Sequence, residues 1–399
     1  MLYTKNRLEV FMAYLHGVER EGQLALELSG LRLGLITNPS GLDKKFNSTI
    51  DLLQKKFDLR ALFSPEHGVR GDAQAGEKVG YYTDARSGLP VYTMYGDHSA
   101  AFGAFDGLDC IVYDIQDVGL RFYTYIYTLT EAMQEAAKRK IRVVVLDRAN
   151  PLGLDVIEGA MLDDSLWSGV GKYAIPSRYG LTVGEFARYV NGEFGFGCDL
   201  RVIACEGLKR DSDYSALGIP WVLPSPNLPT LDSVLCYTGT VLFEGTNLSE
   251  GRGTTKPFEL IGAPWLNCDA LVEHFNSRGI DGAILRPAYF VPTFSKHKGA
   301  LCRGFQIHIT DREAFKPFRL GLELVDYIRK THSEFKFIGE LIGESADAAS
   351  VKEQKLSIDR LLGSYDFRLG DFELEAFLKN QERELAKFKK TAEKYYLYE

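Results

Sequence analysis

The sequence predicts an α/β fold, in which a mostly parallel sheet flanked by helices is followed by a smaller α+β domain. Short apolar runs alternate with longer amphipathic runs through the first half, a pattern typical of parallel strands joined by helical crossovers. The pattern changes to a Pro-, Gly- and Asn-rich stretch after residue 220, and again after residue 267. Because 399 residues exceed what one hydrophobic core usually covers, we predict two domains, over residues 1–265 and 266–399.

Six apolar runs in the first domain have the length and composition of buried strands. They are Leu33–Thr37, Leu59–Ser64, Val91–Tyr95, Cys110–Ile115, Ile141–Leu146 and Leu200–Ala204. Helices are predicted over residues 48–56, 125–139 and 182–191. The first of these helices can be capped by Asn47 or Ser48. Thr182, followed three residues later by Glu185, forms a capping box that opens the third.

The second half of the chain is predicted to contain a loop region and then the elements of the smaller domain. Residues 220–264 are expected to form loops that build a site, because the stretch is too polar and irregular for a core element throughout. An apolar run at 235–243 interrupts it. The later elements are a helix over Asp269–Arg278, a strand over Gly304–Thr310, a helix over Phe315–Lys330 and a charged helical tail from Phe372.

The composition excludes several classes of protein. Hydrophobic residues make up 45% of the chain, which is enough to form a core and excludes general disorder. Lysine and arginine number 47 against 54 aspartates and glutamates, so no nucleic-acid partner is expected. The six scattered cysteines include no Cys-x-x-Cys pair, which excludes zinc ribbons. No stretch approaches the ~20 apolar residues of a membrane span. We expect a cytoplasmic protein, or an exported one if the N-terminus is processed or mis-assigned.

Polar side chains follow four of the predicted strands at the point where each strand ends. They are Asn38 after the first strand, Glu66 and His67 after the second, Asp114 after the fourth, and Asp147, Arg148 and Asn150 after the fifth. Because the carboxyl ends of the strands line the ligand crevice of an open α/β sheet, we expect these groups to converge. Asp147 and Asn150 are also ordinary turn residues, whereas a turn seldom uses glutamate. A lone histidine such as His67 is weak evidence for a metal.

A second polar cluster lies at residues 243–259, where glycines separate three carboxylates from an arginine and a lysine. The charged residues are Glu244, Glu250, Arg252, Lys256 and Glu259. The glycines would let the backbone approach a ligand closely. A phosphate-binding loop is excluded, because Gly253 is followed by Thr-Thr-Lys-Pro instead of a lysine and a hydroxyl residue. The alternative interpretation is a solvated polar loop.

A third cluster, residues 119–127, places tyrosines at alternate positions beside Arg121. Such tyrosines, Tyr123 among them, suit stacking on a sugar ring, although burial in the core is an equally common use. Other catalytic motifs are missing from the sequence. It contains no G-x-S-x-G elbow and no H-E-x-x-H motif, and its glycines at 192, 195 and 197 do not form a dinucleotide fingerprint.

Six blocks of the sequence, taken in order, carry a resemblance to a known family. The blocks are residues 34–41, 63–71, 114–125, 146–151, 224–230 and 244–254. They resemble the exo-β-N-acetylmuramidase family of the NamZ type, from about Leu31 to Tyr398, with a departure at Ala149, where the family usually has proline. The resemblance implies a Rossmann-like catalytic domain and an auxiliary C-terminal domain, with the active site in the cleft between them. It also implies release of N-acetylmuramic acid from the non-reducing ends of peptidoglycan fragments.

We therefore predict a glycoside hydrolase that uses carboxylates and needs no cofactor or metal. Such enzymes need an acid at the leaving oxygen and a base or nucleophile opposite. Glu66 is the predicted acid, with a pKa raised by partial burial or a neighbouring carboxylate. Its partner is Glu250 or Glu244, while Asp114 could instead orient the substrate acetamide, and His67 adjoins the acid. The predicted substrate-binding residues are Asn38, Arg121, Tyr123, Arg148, Asn150, Asn227, Asn247 and Arg252.

The expected ligands are muramoyl saccharides of the MurNAc-GlcNAc type, whose lactyl carboxylate suits a guanidinium fork. The protein is expected to be a monomer or a weak homo-oligomer. Two alternatives stay open: an amidase or deacetylase acting on the same amino sugar, and a non-catalytic muropeptide-binding protein. The stereochemical outcome, the partner of Glu66 and the tolerance of a peptide stem stay open as well.

Overall fold

The computed structural model describes residues 14–66, 68–71, 80–96, 98–339, 356–368 and 372–399. The strands are β1 (Arg32–Thr37), β2 (Asp58–Ser64), β3 (Tyr82–Thr83), β4 (Pro90–Thr93), β5 (Cys110–Asp114), β6 (Arg142–Leu146), β7 (Glu158–Met161), β8 (Pro176–Arg178), β9 (Leu200–Ile203), β10 (Leu260–Ala263), β11 (Ala283–Phe290) and β12 (Cys302–Ile309). The α-helices are α1 (Glu21–Leu28), α2 (Thr49–Lys56), α3 (Ser99–Gly103), α4 (Tyr125–Arg139), α5 (Val183–Glu193), α6 (Leu231–Thr240), α7 (Cys268–Arg278), α8 (Pro317–Thr331), α9 (Ser357–Leu362) and α10 (Leu374–Ala392). His67, one of the predicted catalytic residues, lies outside the described residues.

The central sheet contains seven strands in the order β3-β4-β2-β1-β5-β6-β9. All neighbouring strands are parallel except β3, which is antiparallel to β4. The six parallel strands follow the order 3-2-1-4-5-6 along the chain, which is typical of doubly wound sheets whose ligands bind outside the carboxyl ends of the strands. The predicted α/β fold class is confirmed.

The predicted strands of this sheet agree with the structure to within two residues at each end, and the signal is strongest for the strands that are buried on both faces. Every residue of β5 is buried, as is the run 143–146 of β6. The helix caps are also as predicted. The Ser48 side chain accepts a hydrogen bond from the Ile50 amide, and Thr182 and Glu185 form a reciprocal capping box.

The expectation of loops is wrong for residues 231–234, which begin helix α6; the helix continues into the apolar run at 235–243 that interrupts the stretch. The Thr230 side chain caps the helix by accepting a hydrogen bond from the Ser233 amide, and the residues from 233 to 240 are all buried. A Cβ added at Gly239 would overlap the carbonyl oxygen of Pro317, and one added at Gly321 would overlap Gly239. The small and polar side chains of α6 therefore reflect close packing against α8 on a helix without a solvent face.

The C-terminal region contains a second, antiparallel sheet in the order β10-β12-β11. The edge strand β11 escaped prediction, because it contains Pro287 and its side chains are alternately exposed. β10 belongs to this sheet although it precedes residue 265, where we predicted the domain boundary; that boundary stays a prediction. Among the described residues, no helix combines the length and the apolar character needed to cross a membrane.

Candidate active site

A cleft with a volume of about 170 Å³ opens beyond the carboxyl ends of β2 and β5. Its walls come from the segments after these strands, from the loop before α6, from α6 itself and from the chain between α6 and β10. The lining residues are Glu66, Phe122, Tyr123, Thr124, Tyr125, Val170, Ser225, Asn227, Leu228, Tyr237, Glu244, Arg252 and Phe258. Five of the predicted site residues are among them: Glu66, Tyr123, Asn227, Glu244 and Arg252.

The three candidate carboxylates surround one phenol. Tyr237, on α6, is buried at the cleft wall, and this burial raises its pKa well above the usual value. The negative charges of Glu244, Glu66 and Glu250 raise the pKa further, against the opposing charge of Arg252. Because such effects require short separations, residues from distant parts of the chain converge here. Tyr237 was missed from the sequence because it lies in the apolar run at 235–243, to which no site role was assigned.

Glu244 faces the cleft and pairs with Arg252. Its carboxylate lies 2.7 Å from the Arg252 guanidinium, and its side chain is 26% exposed. Burial raises the pKa of Glu244 and the charge of Glu250 adds to this effect, while Arg252 and Lys296 oppose it. A carboxyl whose pKa is raised in this way can exchange a proton closer to neutral pH.

Glu250 lies behind this pair and not among the residues that line the cleft. Its side chain is buried, with the Lys296 ammonium at 2.8 Å and the Arg252 guanidinium at 3.4 Å. Arg252 is therefore held between two carboxylates, one facing the cleft and one in the interior. The Glu250 carboxylate therefore fixes the direction of the Arg252 guanidinium, which is a positioning role.

The loop after β11 holds the segment that carries Glu244 and Glu250. The Lys296 ammonium donates to the carbonyl oxygens of Phe243 and Thr246, at 2.7 and 2.9 Å. Ser295 and His297 both have positive φ, at 66° and 58°, which is costly for non-glycine residues and is found where surrounding contacts impose it. Lys296 was missed from the sequence, where the basic run 296–298 was the available signal.

Glu66 contacts a second phenol on the opposite side of the site. The charge of Glu66 raises the pKa of Tyr95, with smaller contributions from burial and from a hydrogen bond between the two side chains. The Tyr125 hydroxyl donates to the backbone oxygens of Glu66, at 3.3 Å, and Pro224, at 2.9 Å. Asn38 also donates to the Pro224 oxygen, at 3.0 Å. Asn38 and Tyr125 thus fix the position of the Pro224 carbonyl group beside the cleft.

Comparison with known proteins identifies the family. The models described as "Exo-beta-N-acetylmuramidase NamZ, N-terminal" and "Exo-beta-N-acetylmuramidase NamZ, C-terminal" match residues 33–232 and 235–398. The chain belongs to this NamZ family. It is 43% identical over 381 residues to the peptidoglycan beta-N-acetylmuramidase NamZ of Bacillus subtilis (strain 168), which covers 93% of this chain and 88% of that protein.

Two crystal structures of DUF1343 family proteins from Bacteroides fragilis NCTC 9343 share the fold of this NamZ-family chain. BF0371 superposes with a TM-score of 0.84 at 33% identity, and BF0379 with a TM-score of 0.74 at 28% identity. Each comparison covers 97% of this chain and 99% of the other. The whole chain, including its C-terminal region, therefore has the architecture of these proteins.

Asp114 and Arg148 of this NamZ-family protein are not at the cleft, which corrects the expectation that all strand-end groups converge there. Arg148 donates to both carboxylate oxygens of Asp114, at 2.6 and 2.9 Å, and to the Leu42 oxygen. Asp114 is fully buried and also accepts a hydrogen bond from Thr49. The pair forms a buried polar layer between strand ends, so neither residue is proposed to contact substrate.

Arg121 is also directed away from the cleft, because its guanidinium is fully buried. It donates to the backbone oxygens of Arg360, at 3.0 Å, and Leu361, at 2.9 Å, and burial lowers its pKa to about 10. Asn150 donates to the Leu181 oxygen. The polar groups of Arg121 and Asn150, which we expected to bind a ligand, therefore donate to backbone oxygens instead.

Asn247 likewise does not line the cleft, and its side chain bonds to backbone groups. Its amide donates to the Glu334 oxygen at 2.8 Å and accepts from the Lys336 amide at 2.9 Å, so it anchors the segment after α8. Within the described ranges, no three His, Cys, Asp or Glu side chains are grouped as a metal ion would require. The groups placed for chemistry in the cleft are thus two carboxylates, a guanidinium, an amide and several phenols.

Proposed function

We propose that this NamZ-family protein is an exo-acting β-N-acetylmuramidase that releases N-acetylmuramic acid from the non-reducing ends of peptidoglycan fragments. The name of the Bacillus subtilis relative supports the substrate class, and the family description supports exo action. The observation that carries the proposal is the pair Glu66 and Glu244, which line one cleft and whose charges both raise the pKa of the Tyr237 phenol. Hydrolysis of a glycosidic bond needs two such carboxyl groups.

In the proposed mechanism, Glu66 donates a proton to the leaving oxygen, and Glu244 activates water or attacks the anomeric carbon. The assignment rests on Arg252, whose guanidinium lies 2.7 Å from Glu244 and opposes the effect of burial on the pKa of that carboxyl, so that the ionised form of Glu244 has a cation beside it. A separation of ~5 Å between the carboxyl groups corresponds to retention, and one of ~6.5–9.5 Å corresponds to inversion.

Recognition of the muramoyl unit is proposed to depend on Arg252. Two of its nitrogens face Glu244 and Glu250, and its guanidinium lies over the Phe258 ring, 5.2 Å from the centroid. A guanidinium has five N–H donors, so others can bind the lactyl carboxylate. Asn227 is proposed to bond the acetamide or a ring hydroxyl, and Tyr123 to contact the sugar ring.

The test uses two substrates, a 4-nitrophenyl β-muramoyl glycoside and the disaccharide MurNAc-GlcNAc. Nitrophenol leaves without protonation, so Glu66→Gln should retain most of the turnover of the glycoside and lose ~10²–10⁴-fold with the disaccharide. Glu244→Gln should lose turnover of both substrates. The matched control is Glu273→Gln, on the exposed face of α7, which should change neither rate.

The possible outcomes separate the roles and the reaction classes. The reverse pattern would exchange the roles of the two glutamates, and near-normal turnover of both substrates by Glu66→Gln would remove it from the mechanism. Release of acetate or peptide instead of sugar would select the amidase or deacetylase alternative. Proton NMR of the first product anomer distinguishes retention from inversion.

A cytoplasmic location is the accompanying proposal. Its support is that all six cysteines are free and buried, as in proteins of reducing compartments. Fractionation of the native host, with the protein recovered outside the cytoplasm, would contradict it. The expected monomer or weak homo-oligomer stays a prediction, which sedimentation at several concentrations tests.

A further inference from the structure

A second cavity adjoins the catalytic cleft, and we call it the side chamber. It has a volume of about 250 Å³ and shares two lining residues, Val170 and Glu244, with the cleft. Its remaining walls are the turn at Ser168–Gly169 and one side of α9, through Ser357, Arg360 and Leu361. The two spaces therefore meet at Glu244, one of the two proposed catalytic carboxylates.

The α9 wall of the side chamber is held firmly by the rest of the protein. The buried guanidinium of Arg121 binds the carbonyl oxygens of Arg360 and Leu361. Gly245, next to Glu244, packs so closely on α9 that an added Cβ would lie 2.6 Å from the Ile358 nitrogen. A wall fixed in this way costs little ordering entropy when a ligand binds.

Arg360 supplies the positive charge of the side chamber, whose other charged lining residue, Glu244, is paired with Arg252. Arg360 is exposed, whereas its neighbours Asp359 and Leu361 are buried. Asp359 is neutralised by an ion pair with Arg368 at 2.6 Å. The chamber thus combines the guanidinium of Arg360 with the hydroxyls of Ser357 and Ser168, a set of donors that suits a hydroxylated ligand carrying a carboxylate.

We propose that the side chamber holds the sugar units that follow the cleaved bond in a longer glycan, and that Arg360 binds a carboxylate on those units. The inference rests on the proposed function, because an exo-acting enzyme must accommodate the remaining chain beyond its catalytic groups. The carboxylate has two possible sources, the lactyl group of a second muramoyl unit or the peptide attached to that unit. The chamber makes Arg360 a determinant of preference for longer substrates.

The test compares kcat/KM for three substrates: the 4-nitrophenyl glycoside, a peptide-free MurNAc-GlcNAc tetrasaccharide and the same tetrasaccharide with a peptide on its second muramoyl unit. The glycoside is too short to fill the side chamber. Arg360→Gln should lower kcat/KM for a tetrasaccharide about 10-fold, as expected for loss of a charged hydrogen bond, and leave the glycoside unchanged. The matched control is Arg383→Gln, exposed on α10, which should affect none of the three.

A second variant tests the space rather than the charge. A Cβ at Gly169 would meet nothing within 4 Å, so Gly169→Phe should narrow the chamber without disturbing the fold. It should lower kcat/KM for the tetrasaccharides and spare the glycoside. The carboxylate source is identified with Arg360→Gln. A larger loss of kcat/KM on the peptide-free tetrasaccharide identifies the lactyl group, and a larger loss on the peptide-bearing one identifies the peptide.

Equal losses on all three substrates, or no loss on either tetrasaccharide, would overturn the inference and leave the proposed function standing. A wild-type protein that cleaves none of the muramoyl substrates would refute the proposed function, and the inference would fall with it. The two failures are therefore distinguishable in one set of measurements.

Discussion

Two groups of carboxylates at the same edge of the sheet differ in what surrounds them. Glu66 and Glu244 line the cleft, where their carboxyl groups can meet a ligand. Asp114 and Asp147 are fully buried, and Asp147 accepts hydrogen bonds from Thr182, Gly184 and Tyr398. A position after a strand thus brings a carboxylate to the edge of the sheet, but later segments decide whether it faces a ligand or is enclosed.

The sharpest test of this comparison uses the arginine of the buried group. Arg148→Met should lower the free energy of unfolding by about 3–5 kcal/mol, because it leaves the buried carboxylate of Asp114 without its cation. Turnover per folded molecule should change little. Urea unfolding and active-site titration measure the two quantities. A large loss of turnover in the folded fraction would show that the buried layer takes part in the chemistry.

The arginine of the cleft should behave in the opposite way. Arg252→Met should lower kcat/KM for muramoyl substrates about 10²–10³-fold, because it removes both the partner of Glu244 and the proposed lactyl-binding fork. The urea midpoint should shift only slightly, since Glu250 keeps the ammonium of Lys296. Arg252→Lys should recover only part of the loss, because lysine lacks the fork. Full activity in Arg252→Met would contradict the predicted difference between Arg148 and Arg252.

The buried group should also leave a signature in the pH dependence of stability. Burial raises the pKa of Asp147 to about 6, so the folded protein holds a proton that the unfolded chain releases near pH 4. The free energy of unfolding should therefore fall between about pH 4 and 6, by up to ~3 kcal/mol from this group, and stay lower above that range.

Asp147→Asn cannot titrate at this position, so its stability curve should lack this part of the decline. The measurement is the difference between the urea-derived free energies of the two proteins at each pH. Parallel curves between pH 4 and 6 would contradict the assignment of the raised pKa to Asp147.

The smallest predicted effect concerns Lys296, which acts on Glu244 through the backbone segment that carries it. Lys296→Met should lower kcat about 10–100-fold with little change in KM, because the segment carrying Glu244 loses its anchor. Since Lys296 lowers the pKa of Glu244, its removal should shift the corresponding limb of the pH–rate profile upward. Lys296→Arg should retain the profile. A profile unchanged in Lys296→Met would leave Lys296 with a structural role alone.

The sequence predicted the sheet well, because runs such as Ile141–Leu146 are buried on both faces and carry a strong local signal. It predicted α6 poorly, because that helix is buried all round and lacks an amphipathic period. Among the cleft-lining residues, it predicted Glu66 from a residue type unusual for a turn, and Glu244 and Arg252 from the charged cluster at 243–259.

The sequence could not separate Arg252 from Arg121. The burial of Arg121 depends on carbonyl groups of α9, more than two hundred residues further along the chain. Tyr95, Tyr237 and Lys296 were missed for the same reason, because tertiary packing alone brings each of them to the carboxylates.

The crossing of α6 and α8 is formed by a pair of glycines, Gly239 and Gly321, and it bears on the position of Tyr237. Tyr237 precedes Gly239 by two residues, so an enlarged side chain at this crossing would tilt the phenol away from the carboxylates without altering any group in the cleft. In a screen for turnover, such a substitution would resemble a damaged catalytic residue.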